Sequence, residues 1–489
     1  MSVRISQILV FCLVLMLHSF HLSAQIPSIQ IIAEEEIVDE PKVPAVFTYI
    51  DTDGQVWTRD IGIEIRGGFS QTFPKKTYDI EFWSDPTGSE SVDVTFGNLR
   101  EDDDWILDAL YNEPLRINSF ITHKLWLDIN ELYYKDLEPE AKSGADVMYV
   151  EVSINGEYNG IYMLSEEIDR KQLKLRRNDD ESIKGELYKA YAWDDAVLYN
   201  NPDAIPNNAS STWSGFEYRY PNDVIDWSNI EELVKFVANS SDEEFIAQVG
   251  QRFDLENLMD YYILLNLPRI LDNRGKNIYL CRYDVGEPYF FAPWDLDGSW
   301  GLLWNGNNDS VTEGALTNNL YDRLIATNAQ EFRQRISEKW NEYRQTLISD
   351  SALDERINMA HDFLMDNGIY EKEASTWDYE YSEGDLDYLF EWLEDRLEFL
   401  DNYFNKITAI KVIRTEEAFN IFPNPADSYI NISNNEESDF DAVIYDMNGE
   451  EVKRLKVNDS DAISIEDLVP GIYVLYIAGS SEVFIKVKG

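Results

Sequence analysis

The chain has 489 residues, 44% hydrophobic and 13% aromatic, enough for one large core and a smaller second domain. Its 92 acidic residues outnumber its 41 basic residues, and the formal net charge of −51 argues against nucleic acid or anionic membrane surfaces as partners. With two cysteines and four histidines, a disulfide framework is excluded and zinc sites of the Cys/His type lack ligands. Any chemistry must rest on carboxylates, lysines, arginines, amides and hydrated metal ions.

The first 24 residues have the pattern of a secretory signal. Arg4 precedes an uncharged apolar run at 8–17, and the small residues Ser23 and Ala24 follow. About 20 apolar residues are needed to cross a bilayer, so a cleavable signal peptide over 1–24 is predicted, with an uncleaved anchor as the alternative. Cleavage removes one positive charge and leaves −52. No later segment is long and apolar enough to be a transmembrane anchor.

Cleavage would also leave only Cys281, His123 and His361 of the cysteines and histidines. Both histidines fall in helical patterns and are interpreted as ordinary helix residues. A nucleophile that depends on histidine is therefore not favoured.

The next part of the chain, about 43–190, is predicted as a β-rich lobe crossed by one helix. Its strand signals are separated by Asp-Gly, Gly-Gly and Asn-Gly turns. Strands are expected at 45–50, 61–66, 77–82, 147–154 and 161–164, and the helix at 115–129.

Residues 221–407 are predicted as a mainly helical second lobe, so that 25–407 form one domain. Residues 200–214, rich in Asn, Ala, Pro and Ser, read as a surface loop between the lobes or beside a cleft. A linker is expected at 408–420. The helical patterns lie at 230–238, 255–267, 329–347, 352–366 and 386–407.

Residues 421–489 are predicted as a small C-terminal β-sandwich. The module opens at Phe422-Pro423-Asn424-Pro425 and continues with short strands separated by Gly and Asn turns. It resembles the C-terminal (type A) sorting domain of the type IX secretion system of Bacteroidota. The resemblance implies Sec export to the periplasm, an interaction with the type IX machinery, and a secreted or cell-surface location. A generic immunoglobulin-like sandwich used in adhesion is the alternative.

The most informative segment runs from 254 to 301. Asp254 is placed to cap a helix that Pro268 ends, and two strands, at 278–281 and 289–293, follow the acidic loop that begins at Asp272. Phosphoryl transfer requires one carboxylate to orient the acceptor hydroxyl, and another carboxylate with an amide to hold metal ions. Asp272 and Asn277 have the spacing of a kinase catalytic loop, and a hairpin leads on to an acidic strand end. A structural Asx turn would give the same spacing.

A glycine pair in the β-rich lobe could supply the phosphate site. Gly67 and Gly68 would let backbone amides approach a phosphate, and Lys76 starts the following strand. A simple turn is the alternative for the glycines. Their order before the acidic loop favours the phosphate interpretation.

Together these segments resemble the spore coat protein H (CotH) kinases, atypical secreted protein kinases with a bilobal kinase-like fold. The resemblance covers about 43–407. It rests on Arg66-Gly67 and on 74–78 (PKKTY), 104–107 (DWIL), 154–162 (INGEYNGIY), 164–169 (LSEEID), 272–277 (DNRGKN) and 293–297 (PWDLD).

The resemblance implies an α+β fold and specific site residues. Asp272 would be the catalytic aspartate, and Asp295 would bind the metal ion with Asn277 as co-ligand. Asp297 would be a second ligand or a cap of the next turn. Arg116 stands near the family's Arg-Asn pair, but Ile117 separates it from Asn118, which leaves its role open. The residues implied to bind the nucleotide are Arg66, Lys76 and Glu166.

Two functions are compatible with this sequence. The first is an exported atypical kinase that transfers the γ-phosphate of ATP, with Mg²⁺ or Mn²⁺, to a hydroxyl of an exported protein that the sequence does not identify. The second is a non-catalytic surface protein that binds carbohydrate or protein on a kinase-like scaffold. The joint presence of Lys76, Asp272, Asn277 and Asp295 favours the kinase.

Overall fold

The computed structural model describes residues 25–179, 183–202, 204–206, 210–408, 420–433, 440–446, 451–457, 462–477 and 480–487. The chain divides into two compact units, 1–408 and 409–489. The predicted signal peptide, 1–24, and most of the predicted linker, 409–419, lie outside the described residues.

Seven strands close a barrel in the first unit, in the order β1-β2-β3-β4-β5-β7-β6. Neighbouring strands are antiparallel except β1 and β6, which close the barrel in parallel. Alternate residues of β2 and β4 are buried, so one face of each strand lines a core of aliphatic and aromatic side chains. The strands are β1 (Ser28–Ala33), β2 (Val43–Ile50), β3 (Val56–Arg66), β4 (Thr77–Trp83), β5 (Asp104–Asp108), β6 (Val147–Ile154) and β7 (Glu157–Glu166).

A five-stranded sheet follows, in the order β12-β11-β8-β10-β9. Its strands β11 and β12 are buried at every position, which fits their mainly apolar sequence; Arg282, the charged residue of β11, pairs with Glu186. The strands are β8 (Glu186–Ala190), β9 (Thr212–Trp213), β10 (Phe216–Tyr220), β11 (Ile278–Arg282) and β12 (Tyr289–Pro293).

Helices pack around the largest hydrophobic core, which includes Trp126, Trp227, Trp300 and Trp340. In the part of the chain that the structure describes, no helix has the length and apolar character needed to cross a membrane. The helices are α1 (Asn118–Ile129), α2 (Ser228–Asn239), α3 (Asp242–Arg252), α4 (Leu255–Asn266), α5 (Asn319–Thr327), α6 (Phe332–Tyr343), α7 (Asp350–Asp366), α8 (Ile369–Thr376) and α9 (Glu383–Ile407).

The second unit is built from two antiparallel sheets around its own core, which includes Ile430, Ile444 and Leu475. One sheet has the order β13-β14-β17 and the other β16-β15-β18-β19. The strands are β13 (Asn420–Phe422), β14 (Tyr429–Ser433), β15 (Phe440–Asp446), β16 (Glu451–Val457), β17 (Ala462–Ser464), β18 (Gly471–Ile477) and β19 (Ser480–Lys486).

The expectation that helices and strands are both present, with a β-rich C-terminal region, is confirmed. The kinase-like, bilobal character of the larger unit stays a prediction.

Candidate active site

A cleft of about 430 Å³ lies where the acidic loop before β11 meets the end of β12. Asp272, Asn277, Asp295 and Asp297 all line it, so the structure brings the predicted acidic residues together. The cations that line it are Arg66, Lys75, Lys189 and Lys276.

The β11–β12 hairpin sets the geometry of the acidic side. Ile278 pairs with Pro293, and the Trp294 amide donates to the Asn277 carbonyl, so Asp295, the next residue, lies close to Asn277. The Asn277 amide Nδ2 donates to Asp295 Oδ2 at 3.0 Å. Both residues have a positive φ, 57° and 56°, a conformation that is uncommon outside glycine and often found at functional sites. The hairpin therefore holds an amide and a carboxylate at one point of the cleft wall.

Carboxylates crowd this part of the cleft. Burial raises the pKa of Asp295, and Asp272 adds to the shift while Lys189 and Lys276 oppose it. Burial also raises the pKa of Asp297 well above its ordinary value, and the charge of Asp295 adds to it. Asp108, at the end of β5, also lines the cleft and has a raised pKa because it is buried. A bound cation would relieve this repulsion.

The two adjacent lysines before β4 have different environments. Lys76 Nζ donates to the backbone carbonyls of Gln71 and Phe73, and Lys76 does not line the cleft. Lys75 does line it, and its Nζ lies 3.0 Å from Glu373 Oε1 of α8 with both side chains fully buried. Burial lowers the pKa of Lys75 to about 7. The structure thus places Lys75 in the cleft, whereas the sequence predicted Lys76 there.

Lys189 on β8 is a cleft residue that the sequence analysis missed. Its ammonium lies 5.6 Å and 5.7 Å from the ring centroids of Tyr279 and Trp294. Among the described residues it has no carboxylate within ion-pair distance. Burial lowers its pKa to about 8, with Arg66 adding to the shift and Asp295 opposing it. Lys189 is therefore the cleft cation most available to an anion.

The predicted region matches a family model. The model described as "CotH kinase protein" matches residues 63–400. The chain belongs to this CotH family. Inner spore coat protein H of Bacillus subtilis (strain 168) is 24% identical over 383 residues, which cover 76% of this chain and 93% of that protein. Residues 420–487 match the model of a secretion system C-terminal sorting domain, which indicates type IX secretion to the cell surface or the medium.

In this CotH chain, Arg66 and Glu166, which were predicted to bind the nucleotide, differ in whether they line the cleft. Arg66 lines the cleft, and its Nη1 contacts Asp79 at 3.0 Å and Glu167 at 2.5 Å while its guanidinium lies over Trp294. Glu166 does not line the cleft. Its buried carboxylate accepts hydrogen bonds from Lys142 Nζ and from the Arg100 backbone amide. These bonds connect the end of β7 to two other segments of the chain.

The remaining candidates have defined partners. Asp297 Oδ2 accepts from Asn112 Nδ2 at 2.6 Å, and that amide also donates to the Trp304 carbonyl. The Asp297 side chain thus bonds to the loop after β5. Arg116, left open by the sequence, is buried and binds Glu373 and the Leu110 carbonyl. It stabilises the wall behind Lys75 and does not line the cleft.

The cleft offers hard oxygen donors of the kind that Mg²⁺ and Mn²⁺ prefer, so these residues fit a divalent ion. Its acids do not form a tight group of three ligand atoms. Among the described residues, such a group occurs at Asp93, Asp102 and Asp103, where Lys171 already pairs with all three. A Mg²⁺ ion in a phosphotransferase takes one or two carboxylates and completes its shell with phosphate and water oxygens. The cleft therefore fits an ion that arrives with a nucleotide.

Proposed function

We propose that this CotH protein is an exported kinase that transfers the γ-phosphate of ATP to a protein hydroxyl with the help of Mg²⁺ or Mn²⁺. The observation that carries the proposal is the convergence of Asp272, Asn277 and Asp295 on one cleft that also holds Lys189, which has no ion-pair partner among the described residues. A binding scaffold would not require this set. Membership of the CotH family supports the same function.

Each residue has a role that follows from its position. Asp295 and Asn277 would hold the metal ion, which would neutralise negative charge on the phosphate oxygens. Asp272 is partly exposed, with 28% of its side chain accessible, so an acceptor hydroxyl can reach it. Its carboxylate would orient that hydroxyl and accept its proton. Lys276 Nζ lies 3.7 Å from Asp272 Oδ2 and lines the same cleft.

The cations that line the cleft would bind phosphate oxygens. Lys189 has no carboxylate partner in the part of the chain that the structure describes, whereas Lys75 pairs with Glu373 and Arg66 with Glu167. Lys189 therefore replaces Lys76 as the proposed phosphate contact.

Export is the second part of the proposal. The sorting domain implies an interaction with the type IX machinery. We propose that the chain first crosses the inner membrane by the Sec route through residues 1–24. A source among the Bacteroidota follows from the same secretion system.

Calorimetry tests the nucleotide site. ATP should bind the mature protein only with Mn²⁺, because a chain of net charge −51 repels free triphosphate. Asp295→Asn should weaken Mn²⁺-dependent binding by at least tenfold, since the neutral amide removes an anionic oxygen ligand. Asp93→Asn is the matched control outside the cleft and should bind ATP normally. Equal affinity with Mn²⁺ and with EDTA would contradict the proposal.

A further inference from the structure

A second groove, far from the acidic cleft, is lined by cations. Its volume is about 330 Å³, and its lining includes Arg170, Lys174, Arg176, Arg177 and Lys184. Glu138 is the acidic side chain in the lining, and it accepts a hydrogen bond from the Tyr283 hydroxyl. Between 170 and 184 the chain has six basic and three acidic residues, a net charge of +3 in a chain of −51. We call this the basic groove.

The segment that forms the basic groove is anchored so that its cations face outward. Leu173 and Leu175 are buried, whereas Arg176 and Arg177 are exposed and Lys174 is partly exposed. The alternation directs the apolar side chains to the core and the basic ones to the groove. A flexible surface run would not need this buried anchor.

Several of these cations lack a strong partner among the residues that the structure describes. Lys184 pairs with Asp179 at 2.6 Å, and Arg176 lies 3.7 Å from Asp284 with 52% of its side chain exposed. Lys174 and Arg177 form no ion pair with any residue that the structure describes. In a protein with 92 acidic side chains, a groove that gathers cations without an ion-pair partner among the described residues indicates an external anion.

The basic groove lies at the opposite end of the central sheet from the cleft. The Arg176 amide donates to the Tyr283 carbonyl just after β11, and the Gly185 amide donates to the Arg176 carbonyl just before β8. The cleft residue Asn277 stands just before the other end of β11. Six strand rises of about 3.3 Å separate Asn277 from Tyr283, roughly 20 Å. The sheet thus connects the groove to the cleft rigidly.

We propose that the basic groove docks an acidic segment of a polypeptide, and that this polypeptide is the phosphate acceptor. The identity of the partner as acceptor rests on the proposed kinase function, whereas the binding of an acidic segment does not. Nucleic acid and anionic membranes extend far beyond the groove and would meet the acidic surface around it. A short acidic peptide would meet mainly the local cations, because charges beyond about 8 Å are screened at physiological salt. About six extended residues would span the distance from the groove to the cleft.

Fluorescence anisotropy with labelled decaglutamate and the full mature chain tests the docking. We expect saturable binding that weakens as salt is raised. Lys174→Ala with Arg177→Ala should weaken it roughly three- to tenfold, the usual worth of two exposed charge contacts. Lys235→Ala with Arg335→Ala gives the same charge change elsewhere and should leave binding unchanged. Lys174→Arg with Arg177→Lys should retain it and so exclude a folding defect.

Other results of these experiments would contradict the docking of an acidic peptide. Absence of decaglutamate binding, or equal loss in both alanine pairs, would overturn the proposal. Displacement of the peptide by millimolar inorganic phosphate would show a single-anion site. Binding of phosphatidylglycerol vesicles that the groove variant loses would show a membrane surface. Mn²⁺-dependent ATP binding should be unchanged in the groove variant, so failure of the groove and failure of the kinase are separate results.

Discussion

Lys75 and Lys76 show how adjacent residues of one type take different roles. Lys75 points inward to Glu373 and the Ile161 carbonyl, and Lys76 bonds to its own loop. The sequence correctly located a basic loop before β4, but it could not show which lysine enters the cleft. That choice depends on Glu373, almost 300 positions further along the chain. Lys189 was missed because the pairing of β8 with β11 is equally non-local.

These lysines give a prediction about nucleotide affinity. Lys189→Met should weaken Mn²⁺–ATP binding about tenfold, the worth of one charge-assisted hydrogen bond. Lys76→Met should leave it nearly unchanged. Calorimetry on the two variants measures the difference, and a larger loss in Lys76→Met would restore the original assignment. Lys75→Met is a poorer probe, because removing one partner of a buried ion pair costs about 3–5 kcal/mol of stability.

At the scale of elements, the sequence predicted structures that form locally, such as a helix cap and a hairpin. It did not predict strands that pair across long separations in the sequence. Asp254 caps α4 as predicted, accepting from the Glu256 and Asn257 amides, and the β11–β12 hairpin lies where the sequence indicated. The strands β8 and β10 were not predicted, since β8 pairs with β10 and with β11 across long separations in the sequence. Helices α3, α5 and α8 are short and were also missed. The hairpin, a local structure, positions Asn277 and Asp295, which is why those two could be predicted.

The start of α1 has an unusual cap that makes stability depend on pH. Ile117 provides no side-chain cap, and Glu113 Oε1 instead accepts from the Ser119 amide at 3.0 Å. Burial raises the pKa of Glu113 to about 8, so the folded chain holds a proton there that the unfolded chain loses above about 4.5. The folded state binds more protons, so this group's contribution to stability should fall as pH rises from about 4.5 to 8.

Glu113→Gln tests this cap. The amide keeps an acceptor for α1 but does not titrate, so the variant should lose that part of the pH dependence and gain stability relative to wild type near pH 8. Urea unfolding at pH 5 and pH 8 measures the two slopes. The same stability difference between variant and wild type at both pH values would show that Glu113 is ionised in the folded protein.

At the scale of the whole molecule, the chain joins a CotH domain to a sorting domain, and each has its own core. The Phe-Pro-Asn-Pro opening and the short strands were enough to predict the second unit, because its pairs are mostly between neighbouring strands. The larger unit required pairings that span most of the chain. Motifs around the cleft were enough to recognise its family. The order in which its strands pair could not be predicted from the sequence.

Truncation before Ile421 tests the division of labour between the two units. The shortened chain should keep the unfolding transition and ATP binding of the larger unit, and it should accumulate in the periplasm. Fractionation of cells that express full-length and truncated chains measures this. Normal arrival of the truncated protein at the surface or in the medium would contradict the sorting role.

The most direct test of the account is phosphate transfer itself. Purified mature protein is incubated with γ-labelled ATP and Mn²⁺, alone and with exported proteins of its source, beside an Asp272→Asn variant. We predict that the wild type labels protein. The variant should transfer phosphate at a rate lower by roughly 10²- to 10⁴-fold while binding ATP nearly normally, because only the positioned base is lost. Equal labelling by both, or ATP binding without any transfer by the wild type, would contradict it.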